Sequence, residues 1–178
     1  MTRSICVIPI EFQDQSLIKS LRRYLAQTFE VQVDIRNKKI DTARAYDQYR
    51  NQYHSSDLLK QLIDDPPDKG ACKILGLCKF DLFIPIFTYV FGEAQLNGLG
   101  ALVSTHRLES EFYGGHEDHE LLKERLIKEA NHELGHTFGL VHCKNAGCVM
   151  NFSTYVEDID EKNILFCNEC TAIIKQKR

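Results

Sequence analysis

The chain has 178 residues, of which 43% are hydrophobic and 26% are charged. That length suits one ordinary domain with its own core, and the balance argues against an intrinsically disordered chain. The formal net charge of -3 offers no basic surface for phosphates, so we expect no nucleic-acid partner. No apolar run approaches the roughly 20 residues of a membrane-spanning helix, and residues 6–10 are too few for a signal-peptide core. We therefore expect a cytoplasmic monomer with no membrane partner.

The first 35 residues predict a strand, a helix and a second strand. Residues 4–12 are an apolar, β-branched run, and residues 31–35 alternate between apolar and polar side chains. Between them, residues 16–29 carry apolar side chains at helical spacing, and Ser16 is a suitable N-cap. Strand, helix and strand within about 30 residues is typical of a βαβ unit with parallel strands, so we predict an α/β fold.

The middle of the chain is more ambiguous. Residues 43–62 predict a helix with a break near Ser55 and Ser56, and the sequence from 64 to 70 is a strong stop signal. Residues 81–90 are apolar on both faces and predict a central strand, although Pro85 cannot donate to a sheet ladder. Residues 98–105 predict another short strand. Because no internal repeat or low-complexity linker interrupts the sequence, residues 1–178 are interpreted as one domain.

Residues 121–138 predict a long helix with a buried stripe. The stripe consists of apolar side chains that recur at every fourth position, namely Leu122, Leu126, Ala130, Leu134 and Phe138. His132 and His136 lie two residues out of step with this stripe, so they point to the opposite side, where they can face a cleft. Gly139 is well placed to end the helix in a left-handed turn.

The helix carries a pattern that predicts a zinc ion. His132 and His136 are four residues apart on one helix face, Glu133 lies between them, and His142 follows the expected turn at Gly139. Three imidazoles leave the fourth coordination position open for water, as a catalytic zinc site requires. The alternative is a set of unrelated surface histidines, but the fixed spacing out to His142 makes chance occurrence much rarer.

A second metal site is predicted in the last part of the chain. Four cysteines with the spacing C-x4-C-x18-C-x2-C can form a closed tetrahedral site for a structural zinc, and these are Cys143, Cys148, Cys167 and Cys170. The alternative, a redox pair of the C-x-x-C type, lacks its usual βαβ context and leaves two thiols without a role. The other three cysteines lie in or near apolar segments and are expected to be buried, namely Cys6, Cys72 and Cys78.

These motifs together resemble the archaemetzincin family of metzincins. The resemblance rests on the pattern HExxHxxGxxH followed at once by Cys143, on Cys148-Val149-Met150, and on the final C-x-x-C, with weaker similarity at residues 91–94 and 98–108. It implies a twisted mixed sheet, three main helices and a cleft beside an antiparallel edge strand, which would be Gly100–Ser104. It also implies two zinc ions per chain, with a zinc-clipped subdomain at residues 139–178 that follows a subdomain at residues 1–138. Met150 would form the apolar floor beneath the catalytic metal, a role that is compatible with ordinary core packing.

The predicted activity is zinc-dependent hydrolysis of a peptide or protein substrate. A zinc-bound water would attack the peptide carbonyl, and Glu133 would accept its proton as the general base. Phe152 lies two residues after Met150, where some metzincins carry a tyrosine that assists the oxyanion, so Ser153 and Tyr155 are the nearby alternatives. A protein without that tyrosine could instead be a zinc-stabilised peptide-binding module with little or no hydrolytic activity.

Several other polar residues receive weaker predictions. Three histidines in or beside the polar segment before the long helix are expected at the surface, namely His106, His116 and His119. Arg107 is a candidate for contact with a substrate carboxylate. A nucleic-acid-binding zinc ribbon built on the four cysteines is a third interpretation, which the acidic net charge disfavours.

Overall fold

The computed structural model describes residues 4–64, 66 and 72–177. The strands are β1 (Ser4–Pro9), β2 (Gln32–Ile35), β3 (Tyr46–Asp47), β4 (Gln52–His54), β5 (Cys72–Cys78), β6 (Leu82–Phe83), β7 (Gly92–Ala94) and β8 (Gly100–Ser104). The helices are α1 (Gln15–Phe29), α2 (Thr42–Ala45), α3 (Ser55–Ile63), α4 (His119–Thr137), α5 (Val156–Glu161) and α6 (Asn168–Lys177). Three of these helices have ten or more residues, namely α1, α4 and α6. Most of the predicted stop signal at residues 64–70 lies outside the described residues.

The main sheet has five strands in the order β2-β1-β5-β8-β7. The first four run parallel to their neighbours, and β7 pairs antiparallel with β8. This mixed sheet with an antiparallel edge, covered by helices, confirms the predicted fold class. Both faces of the sheet are buried, as parallel strands require. One face packs against α1 and α4, and the other packs against α3.

The predicted βαβ unit is confirmed as β1, α1 and β2. The predicted cap at Ser16 is wrong, because α1 begins at Gln15 and its N-cap is Asp14. The Asp14 carboxylate accepts hydrogen bonds from the backbone amides of Ser16 and Leu17, each at 2.9 Å. Aspartate and serine are both good N-cap residues, and the side chain two residues earlier is the one that reaches the free amides.

Residues 43–62 do not form one interrupted helix. A short antiparallel hairpin, β3 and β4, separates α2 from α3. Asp47 provides the physical reason, because its carboxylate accepts hydrogen bonds from the amides of Tyr49 and Arg50 and so folds the chain into a turn. Asn51 then adopts a left-handed conformation with φ of 53°. The predicted break at Ser55 corresponds to the start of α3.

The prediction of a central strand at residues 81–90 is also wrong. Only Leu82–Phe83 form a strand, and this strand belongs to a small separate sheet with β3 and β4. The chain then turns around Pro85, and Ile86 is 79% exposed. Proline cannot donate to a ladder, which explains why this apolar run leaves the sheet. The central strand is β5, which the sequence interpretation did not include.

The antiparallel edge strand is β7 (Gly92–Ala94), and the assignment of that role to Gly100–Ser104 is wrong. The predicted strand at residues 98–105 does exist as β8, but β8 lies inside the sheet between β5 and β7. A short segment such as β7 carries little hydrophobic signal, because its three residues are only partly buried. Among the described residues, β7 is therefore the antiparallel edge of the main sheet, and β2 is its parallel edge.

Helix α4 packs on the same face of the main sheet as α1, beside the edge strand β7, and forms the floor of the candidate active site. The ring of Phe138, at its C-terminal end, stacks on Phe29 of α1 with centroids 5.3 Å apart. Two 3-10 turns, His106–Leu108 and Ser110–Tyr113, lead from β8 into α4. Within the described residues, none of the helices combines the length and apolarity that crossing a bilayer demands.

Candidate active site

The predicted stripe on α4 packs into the core. Leu126, Ala130, Leu134 and Phe138 are all buried there. The helix is more buried than its sequence suggests, however, because its polar residues from 125 onward are buried as well, with the exception of the half-buried His136. His132 is only 6% exposed. The two helical histidines line a cleft, in which His132 is buried and His136 is half-buried, so they do not lie on a fully solvated helix face.

Gly139 reverses the chain at the end of α4, as predicted. Its φ is +86°, a left-handed conformation that glycine adopts without steric cost. The turn brings His142 back to the helix, with its ring centroid 5.3 Å from that of His132 and 5.1 Å from that of His136. One ring nitrogen from each of the three histidines lies within 4.8 Å of the others. We call His132, His136 and His142 the histidine cluster.

Backbone carbonyls fix the orientation of two rings in this cluster. His132 Nδ1 lies 2.8 Å from the carbonyl oxygen of Val149, and His136 Nδ1 lies 2.8 Å from that of Leu140. A carbonyl only accepts, so each Nδ1 carries the hydrogen and each Nε2 of the neutral ring presents a lone pair. The two Nε2 atoms are 3.1 Å apart. Two facing lone pairs at that distance repel unless a cation lies between them, so the arrangement fits a metal ion.

The protonation preferences of the cluster favour the same conclusion. Burial, together with the Lys162 cation and the neighbouring rings, lowers the pKa of His132 well below its ordinary value. Burial also lowers the pKa of His136 and of His142. Neutral imidazoles are the form that binds a metal, so the protein environment keeps these side chains ready as ligands.

Glu133 lies beside the edge strand. A Cβ atom added to Gly92 of β7 would lie 2.7 Å from Glu133 Cγ, so the carboxylate-bearing side chain packs directly against the strand backbone. Burial, with a further contribution from the Glu129 carboxylate, raises the pKa of Glu133 well above its ordinary value. A carboxyl group with a raised pKa is a stronger base when it is ionised, which suits proton transfer.

A buried ion pair one turn earlier on α4 was missed by the sequence interpretation. Lys162 Nζ lies 2.9 Å from Glu129 Oε1, and both side chains are almost fully buried. Glu129 also lines the cleft with His132 and Glu133. The spacing of Glu129 from these residues, three and four positions, was visible in the sequence and places it on the same helix face. Lys162 had no comparable signal, because it lies in a distant segment of the chain.

Met150 packs against α4. It is fully buried, and a Cβ atom added to Gly135 would come 2.5 Å from Met150 Sδ. Gly135 lies between Glu133 and His136 in sequence, so the thioether packs against the helical turn that carries these two residues. Only a residue without a side chain allows this approach.

The four predicted cysteines also come together. Their sulfur atoms lie within 4.8 Å of one another. We call Cys143, Cys148, Cys167 and Cys170 the cysteine cluster. Four sulfur ligands form a closed tetrahedral set that suits zinc. Cys6 and Cys78 are buried elsewhere, as predicted, whereas the Cys72 side chain lies outside the described part of the chain.

A cleft of about 650 Å³ runs past the histidine cluster. Its lining includes residues of β7 and residues 152–155. Several large apolar side chains are exposed around it, among them Phe87, Leu96, Phe152 and Tyr155. An apolar cleft with a few convergent polar groups is the usual form of a substrate-binding site.

The side chains predicted as oxyanion donors differ in their placement. Phe152 packs on the ring of His142, with centroids 4.9 Å apart, and it has no hydroxyl group. Ser153 and Tyr155 both line the cleft. Tyr155 is exposed at its mouth, whereas Ser153 Oγ is buried in the wall.

Arg107 and two of the histidines predicted near the surface make contacts with other side chains outside the cleft. Arg107 forms a two-point ion pair with Asp81, at 2.6 and 2.7 Å, and does not line the cleft. His116 is exposed, and His119 contacts Asp14 at 3.2 Å. His106 packs edge-on against Phe112. None of these three histidines belongs to a metal-binding group of the described residues.

The helix, the glycine turn, the third histidine and the buried methionine define the chemistry of a metzincin-type metallopeptidase centre. The profile of Peptidase family M54 matches residues 11–176. Archaemetzincin of Methanocaldococcus jannaschii is 36% identical over 172 residues, covering 96% of this chain and 92% of the relative. Archaemetzincin of Thermococcus kodakarensis is 37% identical over 173 residues, covering 94% and 93%. The chain belongs to peptidase family M54, the archaemetzincins, and is a zinc metallopeptidase.

Solved structures show the same similarity. A crystal structure of archaemetzincin from Methanopyrus kandleri has a TM-score of 0.86 at 33% identity and covers 99% of this chain and 95% of that one. A crystal structure of archaemetzincin from Archaeoglobus fulgidus, complexed with malonate, has a TM-score of 0.81 at 34% identity and covers 96% of this chain and 99% of that one. A zinc-dependent peptidase from Methanocorpusculum labreanum has a TM-score of 0.84 at 31% identity, with the same coverage.

Proposed function

We propose that this peptidase hydrolyses peptide bonds at the histidine cluster, with Glu133 as the general base. The observation that carries the proposal is the convergence of the Nε2 atoms of His132 and His136, an arrangement that fits a bound cation, beside a buried carboxyl group. The three histidines would hold a catalytic zinc ion. When bound, zinc acts as a Lewis acid that polarises the peptide carbonyl and lowers the pKa of water.

The chain's own residues would carry out the remaining steps. The peptide would lie in the cleft along the free edge of β7, where backbone groups can pair with it. Glu133 would accept a proton from the attacking water and deliver it to the leaving amine. A divalent cation nearby would oppose the rise in the Glu133 pKa, because opposite charge favours the ionised carboxylate that a base requires.

We also propose a second zinc ion, held by the cysteine cluster. Four sulfur ligands leave no open coordination position, so this ion would be structural. It would clip residues 139–178 onto the rest of the domain. The same segment carries His142 and Met150, so the clip would position parts of the histidine cluster.

A peptide-binding role without hydrolysis remains the second candidate, favoured by one observation. Phe152, which has no hydroxyl, lies on His142 where an oxyanion donor would be expected from the metzincin resemblance. Such a module would bind peptides in the same cleft and leave them intact.

The test is cleavage of a mixed-sequence peptide library by wild-type protein and by Glu133→Gln, with the zinc content of both measured. We expect cleavage by the wild type, a fall of about 10²–10⁴-fold in the variant and equal zinc in both. Equal cleavage by the variant would disprove the role of Glu133. Intact peptides with zinc-loaded wild type would favour the binding module.

A further inference from the structure

Residues 152–155 form a fixed wall of the cleft. The Tyr89 hydroxyl donates to the Thr154 carbonyl at 2.9 Å, which ties this wall to the segment that precedes β7. The amides of Thr154 and Tyr155 donate to Asp158 Oδ2, at 2.7 and 2.8 Å. Ser153 therefore lies in a segment whose neighbouring polar groups are held by other parts of the protein, so its position is set before any ligand binds.

Ser153 differs from its neighbours, because its hydroxyl has no hydrogen-bond partner. Within the described residues, the Oγ atom is buried and unbonded, a condition shared with Thr105 Oγ1 and Asn131 Oδ1. A buried hydroxyl without a partner costs about 1–3 kcal/mol. Native proteins rarely keep such a group unless it has another use.

The location of the Ser153 hydroxyl indicates that use. Ser153 lines the same cleft as Glu133 and the histidine cluster, whereas Thr105 lines a separate cavity near Asp14. Ser153 is partly exposed as a residue, although its Oγ is not. Rotation about its single side-chain torsion moves a serine hydroxyl between staggered positions, so the group can turn toward a bound molecule.

We propose that Ser153 Oγ hydrogen-bonds the backbone of a peptide bound in the cleft that Ser153 shares with the edge strand β7. This proposal rests on the proposed function and identifies a further substrate-binding residue for it. A hydroxyl can donate to a carbonyl and accept from an amide, so it fits any peptide backbone regardless of sequence. Selection among peptides would then come from the apolar side chains around the cleft.

The experiment compares Ser153→Ala with Thr105→Val. Both substitutions remove a buried hydroxyl that has no partner, but only one of them lies in the cleft. We expect Ser153→Ala to lower kcat/KM on a cleaved library peptide by roughly three- to tenfold, the worth of one neutral hydrogen bond. Its melting temperature should stay level or rise, because an unsatisfied group is gone. Thr105→Val should keep the wild-type kcat/KM.

The separate effects of Ser153→Ala on KM and on kcat show at which stage of the reaction the hydroxyl contacts the peptide. A higher KM with unchanged kcat means that the hydroxyl holds the peptide before reaction, and a lower kcat means that it acts in the transition state. The proposal is overturned if Ser153→Ala keeps full kcat/KM, if its melting temperature falls, or if Thr105→Val loses the same activity.

A binding measurement separates this proposal from the proposed function. Library peptides retained by Glu133→Gln are compared with those retained by the Glu133→Gln, Ser153→Ala double variant. Weaker retention by the double variant supports the contact even if the wild type cleaves no peptide, and equal retention refutes it. Failure of Glu133→Gln to reduce cleavage bears on the proposed function alone.

Discussion

The histidine cluster and the cysteine cluster are joined by a single peptide bond, between His142 and Cys143, yet they are built in opposite ways. Two ligands of the histidine cluster come from one buried helix, and backbone carbonyls aim their rings. The cysteine cluster takes its ligands from short loops and the start of α6, beside an open cavity of about 1030 Å³. The fold itself sets the orientation of the rings in the histidine cluster, whereas the zinc ion proposed for the cysteine cluster would hold its loops together.

The two clusters are also linked by backbone contacts. The Cys143 amide donates to the Met150 carbonyl at 2.8 Å, and the side-chain amide of Asn151 donates to the Cys143 carbonyl at 3.0 Å. Val149, whose carbonyl orients His132, directly follows Cys148 in the chain. Damage to the cysteine cluster should therefore reach the histidine cluster, whereas damage to the histidine cluster should stay local.

The largest effect on activity is expected from His142→Ala. This residue is exposed, so its removal should leave the fold intact while one of the three proposed zinc ligands disappears. We expect a loss of roughly a thousandfold or more in peptide cleavage, since the ion supplies several kcal/mol of transition-state stabilisation. Zinc measured by mass spectrometry of the native protein should fall from two ions per chain to one.

His116→Ala is the matched control, because His116 is an exposed histidine outside the cluster. It should retain both ions and full activity. If His142→Ala lost both ions or unfolded, damage to the histidine cluster would also disrupt the cysteine cluster. That result would contradict the expectation that such damage stays local.

The largest effect on stability is expected from Cys167→Ser. Structural zinc sites contribute on the order of 10 kcal/mol of apparent binding free energy in small zinc domains, so removing one thiolate should loosen residues 139–178. We expect rapid proteolysis within this segment, loss of one zinc ion and reduced cleavage activity, because His142 loses its support. Limited proteolysis followed by mass spectrometry measures the first effect.

Cys78→Ala supplies the control, since Cys78 is a buried thiol of β5 outside the cluster. That variant should keep both zinc ions and a protected C-terminal segment, at the cost of a small cavity. Equal protection of Cys167→Ser and the wild type would show that packing alone holds the segment.

The contrast between the clusters also explains what the sequence could predict. Ligand positions obey fixed spacings, so the seven metal-binding candidates could be identified without a structure. The βαβ unit and α4 were predicted because their apolar patterns extend over many residues. The edge strand β7 was misassigned, because three partly buried residues carry no such pattern.

Long-range partners were the other missing part. The Val149 and Leu140 carbonyls that orient the histidine rings are backbone groups, which every residue has, so no residue type marks them. Lys162 reaches Glu129 across 33 positions of sequence. The segment around Pro85 does not form a strand, because proline has no backbone N–H to donate to a sheet. Pro85 was visible in the sequence, but the prediction gave more weight to the apolar pattern of residues 81–90.

A smaller effect is expected from Gly135→Ala, which tests the packing behind the histidine cluster. The new Cβ would lie 2.5 Å from Met150 Sδ and 3.0 Å from Phe166 Cε1, so the core must shift. Overpacking of this kind costs about 1–3 kcal/mol. Urea unfolding should show that loss, and zinc affinity at the histidine cluster should weaken.

Gly147→Ala is the corresponding substitution near the cysteine cluster. Its Cβ would meet only the ends of two asparagine side chains, the nearer at 3.0 Å, and these can move aside. We expect a change within about 0.5 kcal/mol. Similar costs for the two variants would contradict the view that the histidine cluster is the more tightly packed region.

The smallest effect concerns Asp14, which lies far from both clusters at the start of α1. Burial alone would raise the pKa of Asp14, but hydrogen bonds from the Leu17 and Ser16 amides and from His119 outweigh it, so the pKa is lowered from 3.8. A carboxylate whose pKa is lower in the folded protein than in the unfolded protein stabilises the fold at pH values above its pKa in the unfolded protein. This stabilisation is lost as the pH falls through the pKa in the folded protein. Asp14→Asn keeps a capping side chain without the charge.

The wild type should therefore lose more stability than Asp14→Asn as pH falls from about 5 to below about 4. Urea unfolding at a series of pH values measures the difference. Acid would also protonate the proposed zinc ligands, but that loss is common to both proteins and cancels in the comparison. If the difference in free energy of unfolding between the two proteins grew toward neutral pH, it would have the wrong sign for a carboxylate with a lowered pKa. The effect would then come from the geometry of the cap and not from its charge.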